Sequence, residues 1–275
     1  MESLTIGVVG NGFVGRAMTM LRPNINVKVW DIDPAKVEPQ GMSFNDFVRD
    51  SEIVFIAVPT PMSETGECHL DIVESVVSRV RLIDSQKWII LRSTVPPGTS
   101  EKLGISFMPE FLTERNWKED FINCEQWILG TEDDSLFDLT QKVFLASDVK
   151  NKKLFKCSIN AAELIKYTKN VFLSVKVSYF NEIEDYCRQK GIDYEEVRSL
   201  VSADSRIGGG HTLVPGIDGK RGFGGTCFPK DCHALLHEMK RSGVNPFVIP
   251  ASISRNELVD RPEMDWLIDK GRASL

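Results

Sequence analysis

A glycine-rich turn near the start of the chain constrains the fold most strongly. Leu4–Val9 is a short, continuous apolar run, as expected of a strand buried on both faces of a parallel sheet. The run is followed directly by Gly10, Gly12 and Gly15, a G-x-G-x-x-G pattern, and then by a helical stretch over Arg16–Leu21. A strand, a glycine turn and a helix in this order predict a dinucleotide-binding unit.

Each glycine of this turn has its own physical reason. Gly10 permits the tight turn, Gly12 lets the backbone approach a pyrophosphate, and Gly15 allows the helix to pack closely on the strand. The helix N-terminus then faces the anion. Phe13 and Val14 complete the turn and are predicted to bind the coenzyme with the glycines.

Asp31 indicates which dinucleotide is bound. It ends the next apolar run, Val27–Trp30, about twenty residues beyond the first glycine. Its carboxylate can accept hydrogen bonds from a ribose hydroxyl and would repel a 2′-phosphate. We therefore predict NAD rather than NADP as the cofactor.

Strands and helices continue to alternate downstream. Ile53–Val58 and Trp88–Leu91 are predicted to be buried strands, and Asp71–Leu82 has the apolar spacing of a helix. This alternation predicts an α/β domain with a parallel sheet, in which ligands bind beyond the carboxyl ends of the strands. The segments at those ends either line the nicotinamide side of the coenzyme or are merely stiff loops. The residues concerned are Pro59, Thr60, Ser93 and Thr94.

The architecture changes near residue 155. A helical pattern runs from Asn160 to Lys190, and Gly191 stands where a left-handed helix cap is expected. About thirty helical residues reach about 45 Å, so the helix needs a large partner for its apolar stripe, and a second copy would serve. The stripe comprises Leu164, Val171, Val175, Tyr179, Ile183 and Tyr186. We predict a Rossmann-like NAD-binding domain over residues 1–155 and an all-helical domain over 156–275, built on a dimerisation helix.

Two polar residues and one thiol stand out in this second region. Lys166 and Asn170 share one helix face away from the apolar stripe, where the helix pattern alone favours solvent-facing side chains. Cys227 comes just before a predicted helix, Cys232–Arg241, whose N-terminus would favour the thiolate. It is either a catalytic nucleophile or a small buried hydrophobe, and a cysteine taken by itself favours the second interpretation.

Composition excludes several partner classes. The 275 residues carry 33 Lys and Arg against 39 Asp and Glu, a net charge of −6. This acidic balance argues against nucleic acid or an anionic membrane as the partner. Six cysteines without a CxxC pattern predict neither a disulfide scaffold nor a metal site, so we expect a reducing, cytoplasmic setting.

Taken together, the motifs resemble the UDP-glucose/GDP-mannose dehydrogenase family over nearly the whole chain, to about Asn256. The motifs that carry the resemblance are Gly10–Gly15, Val58–Pro61, Ser93–Thr99, Pro109–Leu112, Glu163–Tyr167 with Asn170, and Gly222–Asp231. The resemblance implies oxidation of the C6 alcohol of a nucleotide sugar to the uronic acid, a four-electron reaction that uses two NAD and one water.

The resemblance also assigns roles to residues at matching positions. Cys227 matches the nucleophile that captures the aldehyde as a thiohemiacetal and then forms a thioester. Of the other implied catalytic residues, Lys166 and Asn170 stabilise the developing oxyanion. Asp231 and Thr94 position a water and assist proton removal in the first oxidation. Glu114 acts in thioester hydrolysis, and Glu110 is a second carboxylate nearby. The implied substrate-binding residues are Phe111, Leu112, Phe223, Gly224, Gly225 and Arg206, the last reaching across a homodimer.

The chain departs from the family pattern in three ways, and two other functions remain open. Family members carry a third domain that binds the nucleotide, and the sequence ends at Leu275, so we expect that domain to be lacking. The segment between Arg206 and Cys227 is longer than usual, and Arg115 replaces a glycine. The alternatives are a two-electron dehydrogenase of small β-hydroxyacids, which needs no thiol, and a non-catalytic NAD-binding partner of a full-length enzyme.

Overall fold

The computed structural model describes residues 4–268 and 271–275. The chain divides into two compact units. The first unit comprises Met1–Thr60 and Leu70–Lys166, and the second comprises Pro61–His69 and Tyr167–Leu275.

Within the described residues of the first unit, seven strands form one sheet. They are β1 (Thr5–Val9), β2 (Asn26–Trp30), β3 (Ile53–Ile56), β4 (Trp88–Leu91), β5 (Ser106–Phe107), β6 (Trp127–Gly130) and β7 (Leu154–Cys157). Their order is β2-β1-β3-β4-β5-β6-β7. The predicted α/β architecture with a largely parallel sheet is confirmed, and one antiparallel pair adds a detail that the sequence did not predict. β5 and β6 are antiparallel because the chain between them stays at the carboxyl end of β5 and β6 runs back.

Helices cover both faces of this sheet, which explains why the strands are continuous apolar runs. One face packs on α1 (Phe13–Ala17) with the 3₁₀ turn that follows it, on α5 (Trp117–Ile122) and on α6 (Asp134–Ala146). The other face packs on α2 (Phe44–Asp50), on α3 (Asp71–Ile83) and on the start of α7 (Ile159–Lys190). The short α4 (Thr99–Lys102) follows β4.

The regular secondary structure in the described residues of the second unit is helical apart from isolated bridges such as Met62 to Ser274, and loops connect the helices. It contains the rest of α7, then α8 (Tyr194–Ser202), α9 (Phe228–Arg241) and α10 (Val248–Arg255). A core that includes Tyr167, Leu235 and Ile253 joins α7, α9 and α10. None of the described helices is long and apolar enough to cross a bilayer.

The long helix α7 ends as predicted, at Gly191 with a φ of +67°, but its buried face differs from the predicted stripe. Tyr179 and Tyr186 are 56% and 59% exposed, and Leu164 is 44% exposed. The face buried within the chain carries polar residues with partners, such as Ser178, whose hydroxyl lies 2.8 Å from that of Ser252. A helical period finds an apolar face, but it does not show which neighbour covers each face.

Candidate active site

The glycine turn between β1 and α1 is built as its chemistry requires. Gly10 has a φ of +95°, and a Cβ there would lie 2.4 Å from the carbonyl oxygen of Ala57. A Cβ on Gly15 would lie 1.8 Å from the carbonyl oxygen of Gly10, so only glycine fits. At Gly12, in contrast, a Cβ would meet no described atom within 4 Å. The packing therefore demands the outer two glycines, and the middle one leaves its backbone open to a ligand.

Asp31 is held beside this turn at the end of β2. Its Oδ2 accepts a hydrogen bond from the Asn11 backbone N–H at 2.7 Å, and its Oδ1 accepts one from Asp33 N–H at 2.9 Å. Both oxygens have lone pairs left for further donors. The residues present therefore fit an NAD ribose and pyrophosphate.

Hydrogen bonds tie the carboxyl ends of β3 and β4 together. Thr60 Oγ1 donates to the carbonyl of Thr94 at 2.9 Å, and Ser93 Oγ donates to the carbonyl of Val58 at 2.7 Å. Pro59 lies between these contacts in the sequence. The four residues predicted to line the nicotinamide side thus lie at one edge of the sheet, the edge that also carries Gly10.

Lys166, near the end of the first unit, pairs with Glu110. The lysine is 2% exposed, and its Nζ lies 2.6 Å from both Oε1 and the backbone carbonyl oxygen of Glu110. The other carboxylate oxygen accepts from Leu112 N–H at 2.7 Å. The Nζ also lies 5.6 Å from the ring centroid of Phe111, which is within cation–π range. The solvent-facing position that the helix pattern favoured for Lys166 is therefore wrong, because distant residues cover that face.

Asn170, one turn further along α7, is also buried and pairs within the second unit. Its Nδ2 donates to Asp231 Oδ2 at 2.6 Å, while Lys230 Nζ donates to Asp231 Oδ1 at 2.7 Å. Burial lowers the pKa of Lys230, but the charges of Asp231, Cys68 and Cys227 outweigh that effect and raise it. A fully buried ammonium thus stays charged at the start of α9. The solvent-facing expectation for Asn170 fails for the same reason as that for Lys166.

Cys227 occupies the N-cap position of α9, a helix of 14 residues. It is half-buried, and its Sγ lies 3.8 Å from the hydroxyl oxygen of Thr226. Cys232, one turn later, is a useful contrast, since it is fully buried and burial raises its pKa to about 12. A positive helix end and the buried Lys230 ammonium are the surroundings that favour a reactive thiolate.

The segment before Cys227 is held by side chains from the end of α10 and beyond. The Asn256 side chain accepts from Phe223 N–H at 2.8 Å and donates to the Phe223 carbonyl at 2.9 Å. A Cβ on Gly224 would lie 2.4 Å from Cζ of Arg261, so the guanidinium packs directly on this backbone. Gly225 has a φ of +73° with open space around it.

Two of the charged residues predicted for the site lie on the surface. Glu114 is exposed in the turn before α5. The side chain of Arg206 is 87% exposed and pairs with Asp204 two residues away. Among the described residues of its unit, Arg206 does not join the buried contacts of Asn170, Lys230 and Asp231.

Sequence reasoning assigned no role to several buried charged residues, among them Glu163 and Arg92. Glu163 lies one turn before Lys166 and accepts hydrogen bonds from Gly98 N–H at 2.7 Å and Ser100 N–H at 2.8 Å. Arg92 ends the β4 run and is 1% exposed. For Arg92 the available signal was a charged residue directly after an apolar strand, and a search for motifs does not detect this signal.

Comparisons with known proteins agree with this architecture. Domain models of the UDP-glucose/GDP-mannose dehydrogenase family match the chain, the NAD binding domain over residues 40–147 and the central domain over residues 160–258. The chain belongs to this family. The match to the NAD-binding domain of this family gives NAD as the cofactor. The glycine turn and Asp31 agree with this cofactor.

Individual family members match most of this chain and a smaller share of their own length. The UDP-glucose 6-dehydrogenase of Rickettsia bellii is 28% identical over 97% of this chain and 69% of its own. The UDP-glucose 6-dehydrogenase TuaD of Bacillus subtilis is 32% identical over 92% and 62%, respectively. A solved UDP-glucose dehydrogenase from the archaeon Pyrobaculum islandicum superposes with a TM-score of 0.83 at 28% identity, covering 93% of this chain and 68% of that one. The chain thus spans about two thirds of the length of these relatives.

Proposed function

We propose that this protein is an NAD-dependent oxidoreductase that oxidises the C6 alcohol of a nucleotide sugar to the carboxylic acid through a covalent adduct on Cys227. The observation that carries the proposal is the arrangement at the start of α9. There the half-buried Cys227 occupies the N-cap position, and the first turn of the helix carries the buried Lys230–Asp231 pair, whose carboxylate accepts a hydrogen bond from Asn170.

The chemistry assigned to these residues balances in four steps. The alcohol becomes an aldehyde by losing a hydride and a proton, and we assign the removal of the proton to Asp231 and Thr94. The Cys227 thiolate adds to the carbonyl carbon to form a thiohemiacetal, which reacts as its alkoxide and whose tetrahedral carbon again carries a hydride that can leave. Loss of that hydride gives a thioester. Water then breaks the C–S bond and releases the acid and the thiol, a step we assign to Glu114.

When bound, NAD accepts the hydrides. The protein's part is to hold charge where it develops. Lys166 and Asn170 are one turn apart on α7, and both side chains are buried and hydrogen-bonded to carboxylates. Their N–H groups are therefore fixed before any oxyanion forms beside them. Donors fixed in this way cost no reorganisation during the reaction.

The test is the ratio of NADH formed to sugar consumed. Purified protein with NAD and UDP-glucose, GDP-mannose or a UDP-N-acetylhexosamine is expected to give two NADH per acid formed. One NADH per turnover of a small hydroxy acid would instead support the two-electron alternative. Absence of turnover with every substrate, in a preparation that binds NAD, would support the non-catalytic alternative.

We also propose a homodimer formed through α7. Phe172, Tyr179 and Tyr186 recur every seven residues along this helix and are 63%, 56% and 59% exposed in one chain. An apolar row of this length on one helix face is typical of a surface that a second helix covers.

A further inference from the structure

Arg92 carries a buried charge with unusual surroundings. It follows β4, its residue is 1% exposed, and its backbone N–H is bonded to the carbonyl of Ile56 at 2.8 Å. Its Nε and one Nη are fully buried and have no hydrogen-bond partner within the described part of the chain. A buried charge without hydrogen-bond partners lowers the free energy of unfolding, so a protein retains one only where another interaction or a function offsets that cost.

The charged neighbours of Arg92 identify what it acts on. Burial lowers the pKa of the Arg92 guanidinium, whereas the nearby Glu110 and Cys124 raise it. Arginine remains protonated in proteins even when it is buried. The pairing of β4 with β5 places Leu91 opposite Phe107. Arg92, the next residue, therefore lies beside the segment that leads from β5 to Glu110.

Glu110 is already committed to other partners. Its Oε1 accepts from Lys166 Nζ and its Oε2 accepts from Leu112 N–H. Arg92 makes no ion pair with this carboxylate within 4.0 Å among the described residues, so it acts through its field. Two cations therefore act on one carboxylate, Lys166 by direct contact and Arg92 by its electrostatic field, and the formal charges of these three buried groups sum to +1.

We propose that Arg92 is a positioning residue that keeps the Lys166–Glu110 pair net positive and so prepares it for an oxyanion. Without Arg92, Glu110 would neutralise Lys166, and an anion beside the lysine would gain little. With Arg92 present, the carboxylate is shared between two cations, and an arriving negative charge brings the cluster to neutrality. This inference rests on the proposed function, in which Lys166 stabilises the developing oxyanion.

The variants R92M and R92K test the inference. In R92M the thermal stability should rise while the activity falls, and R92K is the control that keeps the charge. Methionine is unbranched and neutral, so R92M removes the positive charge of Arg92. Lys166 and Glu110 are then left as an ion pair with no net charge. We expect R92M to raise Tm by at least about 2 °C, since replacing an uncompensated buried charge with an apolar side chain is often stabilising. We expect its kcat to fall by about tenfold or more while KM for NAD stays unchanged. R92K keeps the charge and should retain kcat to within about threefold.

A purely structural Arg92 would give a different pattern. A lower Tm in R92M, or a kcat equal to that of the wild type, would overturn the role of Arg92 and leave the proposed function standing. An R92K variant as inactive as R92M would also overturn it, because the charge would not be what matters. An inactive wild-type chain would overturn the proposed function itself and, with it, this role.

Discussion

Asn170 Nδ2 lies 2.6 Å from Asp231 Oδ2, and this buried hydrogen bond links the middle of α7 to the start of α9. The opposite oxygen of Asp231 accepts from Lys230 at 2.7 Å. One carboxylate therefore fixes an amide on one helix and balances an ammonium on the other. The turn that carries Cys227 is immobilised by the same contacts that we assign to catalysis.

Replacing Asp231 with Asn separates these two roles. D231N can keep a hydrogen bond to Asn170, but it leaves Lys230 buried without its counter-charge, so we expect a loss of about 3–5 kcal/mol in the free energy of unfolding. Activity should fall by about 100-fold or more through loss of the base. Chemical denaturation and initial-rate kinetics measure the two effects.

The double variant D231N/K230M is the matched control. Removing the stranded ammonium should restore most of the stability while activity stays low. Recovery of activity together with stability would show that Asp231 serves only the fold.

Gly12→Ala and Gly15→Ala form a pair that tests the coenzyme turn. Gly12 has a φ of −71°, which alanine adopts, and open space around it, so G12A should fold normally. Its methyl group should block the pyrophosphate and abolish the rise in Tm that NAD causes. G15A should be destabilised by about 3 kcal/mol or more, because its Cβ overlaps the Gly10 carbonyl. Thermal unfolding with and without NAD measures both, and a G12A protein with the wild-type NAD shift would contradict the binding mode.

Glu163 makes stability depend on pH. Burial raises the pKa of its carboxyl above the ordinary value of 4.5, although hydrogen bonds from Ser100 and Gly98 oppose the shift. The folded state therefore binds this proton more tightly than the unfolded state. The stability from this group is fully present below the unfolded pKa and is lost as the pH rises through the folded pKa.

The variant E163Q does not titrate there, and its single acceptor oxygen leaves one backbone N–H without a partner. We expect it to be less stable by about 1–3 kcal/mol at acid pH. The gap to the wild type should narrow as the pH rises. Tm measured at several pH values between about 4.5 and 8 checks this, and a gap that widens over the same range would contradict the assignment.

The proposed dimer predicts a monomer when charge is placed on its apolar row. F172E puts a carboxylate on the exposed apolar row of α7, whereas F172L keeps the row apolar. Light scattering after gel filtration should give a dimer for the wild type and F172L and a monomer for F172E. A monomeric wild-type chain would rule out the dimer.

The sequence predicts the parts of this fold that depend on neighbours along the chain. The β1 strand, the glycine turn and α7 follow from local apolar runs and spacing, and the structure confirms them. The two-residue β5 is too short to carry any period, so its antiparallel partner could not be foreseen.

The candidate site depends instead on residues far apart in sequence. Lys166 and Glu110 are separated by 56 positions, and Asn170 and Asp231 by 61. A helical pattern assigns both polar residues of α7 to solvent because it contains no information about such partners. Only the resemblance to a family supplied the roles of these two residues, and no motif pointed to Arg92.

The most direct test of the central claim is the NADH yield of Cys227→Ser, measured against the wild type with a limiting amount of the nucleotide sugar that the wild type oxidises. We predict two NADH per sugar for the wild type. The serine protein should give at most one and should form no acid, because without the thiol it cannot carry the aldehyde through a thioester. A serine protein that still yields two NADH and the acid would contradict the covalent mechanism.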